Sequence, residues 1–230
     1  MSVLKSIFSI FTKKNQEEIN NDSNVMEIDI QVKEMYDYIY SSVILDDFAQ
    51  LAKENVLNIN YENYCYNELS FDSIMKVIKN PNIANLDTDS SVLTISCGAG
   101  QLPIILKQYY HFSVVYGVET TFEFFNLSKQ FLEQYMEYND LNGTRIPLTM
   151  NDPLLIDFSK FNLIFIEYNN TNILYNDMLK EKIKQECQSN TIIVKFSTRF
   201  KADKKIKLVD KISIENKNNE KNFVYFYRVK

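Results

Sequence analysis

Ser91-Val-Leu-Thr-Ile-Ser-Cys-Gly-Ala-Gly-Gln101 decides the fold. Residues 92–96 form a short apolar run containing β-branched Val and Ile, which reads as a buried strand. The run breaks at Gly98 and Gly100 and passes directly into an apolar helical stretch over residues 102–109. A strand, a glycine turn and a helix in that order form the opening unit of a doubly wound sheet. The glycines let backbone approach a ligand, and the helix start offers free N–H groups. The spacing Ser96-x-Gly98-x-Gly100 falls one glycine short of the dinucleotide fingerprint.

Working outward, further apolar runs lie at 113–118, 145–149, 162–167, 191–196, 206–214 and 222–229. Helical patterns occupy 71–78, 121–138 and 173–187, with Ser70 placed to cap the first of these. This alternation predicts an α/β fold with a parallel, doubly wound sheet. The last two runs have only a polar connection between them and read as a closing antiparallel pair. Upstream, residues 1–14 make an amphipathic segment and 15–24 a polar linker. From about 28 to 58, Val32, Met35, Tyr36, Ile39, Val43 and Leu51 recur at helical spacing. The expected organisation is therefore an N-terminal segment and linker (1–24), a helical subdomain with a loop (25–80) and an α/β domain (81–230).

Composition narrows the function. The chain has 230 residues, 45% of them hydrophobic, enough for one sizeable core. It has four glycines, where average usage would give roughly 16. Backbone positions that favour glycine must be few or filled by other residues. Cys65, Cys97 and Cys187 are too few and too scattered for a disulfide framework, and with the single His111 they make no zinc set. No apolar run approaches the roughly 18 residues of a membrane span. Residues 195–230 hold 11 Lys and Arg against 4 Asp and Glu in a chain of net charge −5. Such a strip can make weak contact with a polyanion, but charge runs are more often solvated faces.

A second motif supports the glycine turn. Val114-Val-Tyr-Gly-Val-Glu119 is a strand ending in a carboxylate about 20 residues downstream, where an acid can accept both hydroxyls of a ribose. Asn151-Asp152 follows the third strand and offers a carboxylate to an adenine amino group. The turn lacks the glycine content and the lysine that a di- or triphosphate would need. A ribose-bearing ligand without phosphate fits, and S-adenosylmethionine is the commonest such cofactor.

One family carries these features in the same order. Tyr66-Asn-Glu-Leu-Ser-Phe-Asp-Ser-Ile-Met-Lys-Val-Ile78, Gly98-Ala-Gly-Gln101, Tyr116-Gly-Val-Glu119, Asn151-Asp-Pro-Leu154, Leu163-Ile-Phe-Ile166 and Leu179-Lys-Glu181 are collinear with its motifs. The chain resembles the disruptor-of-telomeric-silencing histone lysine methyltransferases, which lack a SET domain. The likeness covers residues 60–200, with a looser echo at Phe223-Val-Tyr-Phe226. It implies a seven-stranded, Rossmann-like class I S-adenosylmethionine-dependent methyltransferase fold with an N-terminal helical segment. It also implies a nucleosome or histone substrate and a nuclear location. By position, Tyr66 and Glu68 belong to a loop over the cofactor, and Gly98, Gly100 and Gln101 line its methionine portion. Glu119 takes the ribose, Asp152 the adenine, and Tyr225 a wall of the lysine channel.

The departures are concentrated. Asn67 stands where the family has glycine, and Thr94-Ile-Ser96 stands where its first strand ends Asp-Leu-Gly. Thr94 thus occupies the position of the acid that the resemblance implies should hold the cofactor's ammonium group, and Ser96 that of a cofactor-binding glycine. Glu167, after the fourth strand, stands where the family has asparagine and is a candidate replacement charge in the catalytic centre. Three readings stay open from the residues: a protein lysine methyltransferase; a catalytically silent binding or regulatory subunit docking through the N-terminal amphipathic helix; and an RNA or small-molecule methyltransferase, with a cytoplasmic location if the regulatory or RNA reading holds.

Overall fold

The structure is a computed structural model, and it describes residues 22–40, 69–139, 146–167, 173–215 and 221–230. The expected loop residues Tyr66 and Glu68, the amphipathic segment 1–14 and the second half of the 28–58 helical pattern lie outside the described residues.

Among the described residues the first element is helix α1 (Asp22–Tyr40), and the next are α2 (Phe71–Ile78) and the single-turn α3 (Pro81–Ala84). Then come β1 (Ser91–Ile95), α4 (Gln101–Tyr110), β2 (Val114–Glu119), α5 (Phe122–Tyr138) and β3 (Leu148–Met150). Two 3₁₀ turns (Pro153–Leu155 and Phe158–Lys160) lead to β4 (Leu163–Ile166), α6 (Ile173–Glu186), β5 (Ile192–Phe196), β6 (Ile206–Glu215) and β7 (Lys221–Val229). The seven strands form one sheet in the order β3-β2-β1-β4-β5-β7-β6. β1 to β5 are parallel, and β7 inserts antiparallel between β5 and β6. The reversal of strand order at β1 and β4 is the topological switch point where ligands of open α/β sheets bind.

Every run read as a strand is one. β1, β4 and β5 are buried along their whole lengths apart from Ser91, as expected for central parallel strands covered on both faces. Their alternate residues feed two cores. Val92, Phe165, Ile192 and Val194 pack under α1, α2, α4 and α5. Leu93, Ile95, Ile164, Ile166 and Ile193 pack under α6 and the 3₁₀ turns. Ser70 caps α2, its hydroxyl accepting from Ser73 N–H at 3.2 Å.

Two boundaries moved. α1 begins at Asp22, inside the stretch read as linker. A helix held by the buried stripe Val32, Met35, Tyr36, Ile39 and Tyr40 extends upstream at little cost once nucleated. β3 starts at Leu148 rather than 145, because Pro147 has no N–H for a ladder and contributes only its carbonyl, to Gly117 N–H at 2.8 Å.

The glycine shortage has a visible consequence. Ser96 (φ 57°), His111 (φ 53°), Asn190 (φ 72°) and Ser197 (φ 64°) hold left-handed backbone without being glycine. His111 does so as the C-cap of α4, a place usually taken by Gly or Asn. The basic C-terminal strip is largely the β6–β7 edge of the sheet. Lys207 and Lys211 are exposed along the outermost strand, where charge discourages pairing with other chains. Among the described residues, no helix is long and apolar enough to cross a membrane.

Candidate functional site

The turn after β1 is built from unusual backbone. Ser96, Gly98 (φ 54°) and Gly100 (φ 79°) all have positive φ, so the chain reverses within five residues and delivers Gly100 as the N-cap of α4. Two hydrogen bonds brace it: Cys97 N–H donates to Val118 O at 3.2 Å, and Gly100 N–H to Cys97 O at 2.8 Å. A Cβ on Gly100 would lie 3.2 Å from that of Ser128, so α5 closes over the turn. α1 covers it from another side. Tyr40 OH donates to Ala99 O at 3.5 Å, and Gln101 Nε2 donates to Tyr36 OH at 3.0 Å.

β2 supplies the acid. Glu119 is 2% exposed and accepts three backbone N–H groups: Gly98 at 2.8 Å, Thr120 at 2.8 Å and Thr121 at 2.9 Å. A carboxylate has about four acceptor positions, and the Thr121 side chain also hydrogen-bonds to this one. Burial raises its pKa on balance, and the three N–H bonds and the Thr121 side chain offset that only in part. The carboxylate is therefore part of the turn's scaffold. Gly117, two residues earlier, is a close-approach glycine: a Cβ there would overlap Leu148 Cδ2 and lie 3.1 Å from Cys97 Sγ.

A second acid arrives from β4. Glu167 N–H donates to Ile95 O at 3.1 Å, which places the residue beside the end of β1. The residue as a whole is half-buried, but its carboxyl group is enclosed, and Oε1 is sealed from solvent with no hydrogen-bond partner. Its pKa is pushed well up, first by desolvation and then by the charge of Glu119. Cys97 stands within the field of both acids and is likewise pushed well up, with burial the largest cause. The structure thus gathers Gly98, Gly100, Gln101, Glu119 and Glu167 at one end of the sheet.

The remaining sequence-derived residues are placed differently. Thr94 is fully buried, and its hydroxyl donates to Tyr116 O at 3.3 Å, beneath the turn rather than at its surface. Ser96 forms the turn itself. Asp152 is exposed; it caps the 3₁₀ turn by accepting from Leu154 N–H at 2.9 Å, and Tyr175 OH donates to it at 3.3 Å. Its neighbour Asn151 donates its N–H to Glu119 O at 3.2 Å, which brings this loop to the end of β2. Tyr225 lies on β7, separated from β4 by β5, and pairs in register with Lys195.

Sequence reasoning missed Cys97, Ser128 and the two tyrosines of α1, whose roles depend on packing between elements distant in the chain. It also missed Lys195. This residue is 1% exposed, its Nζ has no hydrogen-bond partner and sits 5.3 Å from the Phe200 ring centroid. Burial lowers its pKa to about 8. Its place in an otherwise apolar strand, Ile192-Ile-Val-Lys-Phe196, was the available signal.

No family model matches the chain, and no curated protein sequence matches it either. Solved structures do. An RNA methyltransferase from Salinibacter ruber in complex with S-adenosyl-L-homocysteine superposes with a TM-score of 0.51 at 13% identity, covering 70% of this chain and 92% of that one. Magnesium protoporphyrin IX methyltransferase from Synechocystis PCC 6803 with bound S-adenosylmethionine gives 0.52 at 10% identity, covering 86% and 90%. An O-methyltransferase from Bacillus cereus gives 0.53 at 14%, covering 84% and 96%. The chain has the Rossmann-like fold of the class I S-adenosylmethionine-dependent methyltransferases.

Proposed function

We propose that the protein is an S-adenosylmethionine-dependent methyltransferase, and that its acceptor is the amine of a protein lysine, with a nucleosome or histone as substrate. The observation that carries the cofactor assignment is the pair of buried acids at the glycine turn. Glu119 and Glu167 raise each other's energy when both are charged, and among the described residues no salt bridge reaches either of them. Such a site favours a cationic ligand, and the cofactor carries both a sulfonium and an ammonium. The lysine acceptor rests on the resemblance of residues 60–200 alone.

When bound, S-adenosylmethionine supplies an electrophilic methyl group. The chain's own residues do the rest. Gly98 and Gly100 let backbone lie against the ligand, and Glu119 would accept a ribose hydroxyl in place of its bond to the Thr121 side chain. Asp152, exposed beside the end of β2, has a second oxygen available for an amino group. An acceptor lysine has an ordinary pKa near 10.4 and must be neutral to attack; an apolar channel walled by Tyr225 would favour that form by desolvation. Positioning then supplies much of the acceleration.

A second reading is favoured by one observation. Three of the acceptor positions of Glu119 already serve Gly98, Thr120 and Thr121, and Thr94 and Ser96 supply no charge. A silent, methyltransferase-fold binding subunit would tolerate such a site. Labelled methyl transfer to nucleosomes, free histones and RNA separates the readings: transfer to histone lysine supports the first, transfer only to RNA moves the substrate class, and binding without any transfer supports the silent subunit.

A further inference from the structure

The end of β4 presents a buried acid for which the fold has no use. Glu119 is accounted for, because its carboxylate holds three N–H groups of the turn and of the α5 entry. Thr94 spends its hydroxyl on Tyr116 O. Glu167 is different. Its backbone N–H is fixed to Ile95 O, so it stands beside the end of the strand that enters the glycine turn, yet Oε1 is sealed from solvent without a donor. An enclosed carboxylate oxygen without a partner carries the full desolvation penalty, and a second acid close by adds to it.

We propose that Glu167 is the residue that receives the α-ammonium group of S-adenosylmethionine, doing from the end of β4 what Thr94 on β1 cannot. This deepens the cofactor assignment above and rests on it. An ammonium group would satisfy the orphaned oxygen with a charge-assisted hydrogen bond and would offset the repulsion from Glu119. Glu167 is thereby a positioning and specificity residue. It favours ligands that carry the aminobutyrate arm of the cofactor over 5′-methylthioadenosine, which lacks that arm. The titratable groups that face Glu167 among the described residues are Cys97, on the turn after β1, and Glu119, at the end of β2. Both would be anions if ionised, so neither can neutralise it.

The test is titration calorimetry of the full chain with S-adenosylmethionine and with 5′-methylthioadenosine, comparing the parent with Glu167→Gln and Glu167→Asp. Glu167→Gln is expected to weaken S-adenosylmethionine by roughly ten- to a hundredfold, to leave 5′-methylthioadenosine unchanged, and Glu167→Asp to restore part of the loss. Because burial shifts this carboxyl's pKa upward, S-adenosylmethionine affinity should rise with pH in the parent and lose that dependence in Glu167→Gln. Equal S-adenosylmethionine affinity in parent and Glu167→Gln overturns the assignment and leaves the cofactor reading standing. Equal losses for both ligands also overturn it, by making Glu167 a structural residue. A parent that binds neither ligand overturns the cofactor reading and this inference with it.

Discussion

Glu119 Oε2 accepts the backbone N–H of Gly98 at 2.8 Å, so the acid at the end of β2 and the glycine turn after β1 are one unit. Its other oxygen accepts from Thr120 and Thr121, which ties the same carboxylate to the start of α5. The two motifs that mark the site in the sequence are thus bonded to each other in the fold. Damage to either should be felt by both.

Glu119→Ala removes the acceptor of three buried N–H groups at once. Each orphaned donor costs about 1–3 kcal/mol, partly offset by the loss of a buried charge. The expected outcome is a melting temperature lower by several degrees and faster hydrogen exchange at the amides of Gly98, Thr120 and Thr121. S-adenosylmethionine binding should be lost. Unchanged exchange at Gly98 would show that the turn does not depend on this carboxylate.

Gly117→Ala tests the fit between β2 and β3. The added methyl meets Leu148 Cδ2 and comes 3.1 Å from Cys97 Sγ, and overpacking of this kind costs about 1–3 kcal/mol. The leucine tip can move, whereas Cys97 belongs to the turn. Denaturant unfolding should therefore show a loss for Gly117→Ala that Leu148→Ala recovers only in part, a coupling a double-mutant cycle measures. Full additivity of the two changes would contradict the contact.

Lys195→Met should stabilise the protein below pH 8. The buried ammonium has its pKa lowered to about 8 by burial. Below that pH, Lys195 is charged in the folded and unfolded states alike, and the folded state bears the full cost. From a pKa of about 8 up to the ordinary 10.5, at about 1.4 kcal/mol per pH unit, this is roughly 3 kcal/mol. As pH rises through that window the folded protein gives up its proton first, and the cost disappears. Melting curves of parent and variant should differ by several degrees at pH 7 and converge towards pH 10.5. A constant difference across this range would mean that burial does not lower the lysine's pKa.

The strand pattern was legible because the central parallel strands are buried on both faces and read as continuous apolar runs, such as Leu163-Ile-Phe-Ile166. The site was legible in part. Gly98, Gly100 and Glu119 sit at fixed places in a strand–turn–helix unit, so spacing located them. The bonds of Glu119 to Gly98 and Thr121, the overlap of Gly117 with Leu148 and the cover of Tyr36 and Tyr40 over the turn depend on how distant elements pack, which local pattern does not encode. Thr94 shows the same limit. Its position at the end of the first strand suggested contact with a ligand, but the pleat turns its hydroxyl to the Tyr116 carbonyl beneath the turn.

Titration calorimetry of the full chain against S-adenosylmethionine, with Glu119→Ala as control, decides whether the glycine turn and its two acids bind the cofactor. The expected result is saturable, one-to-one binding of the parent with a dissociation constant below about 1 mM, or about −4 kcal/mol, and its loss in Glu119→Ala. No heat of binding from the parent at millimolar cofactor, or equal binding by Glu119→Ala, would contradict it.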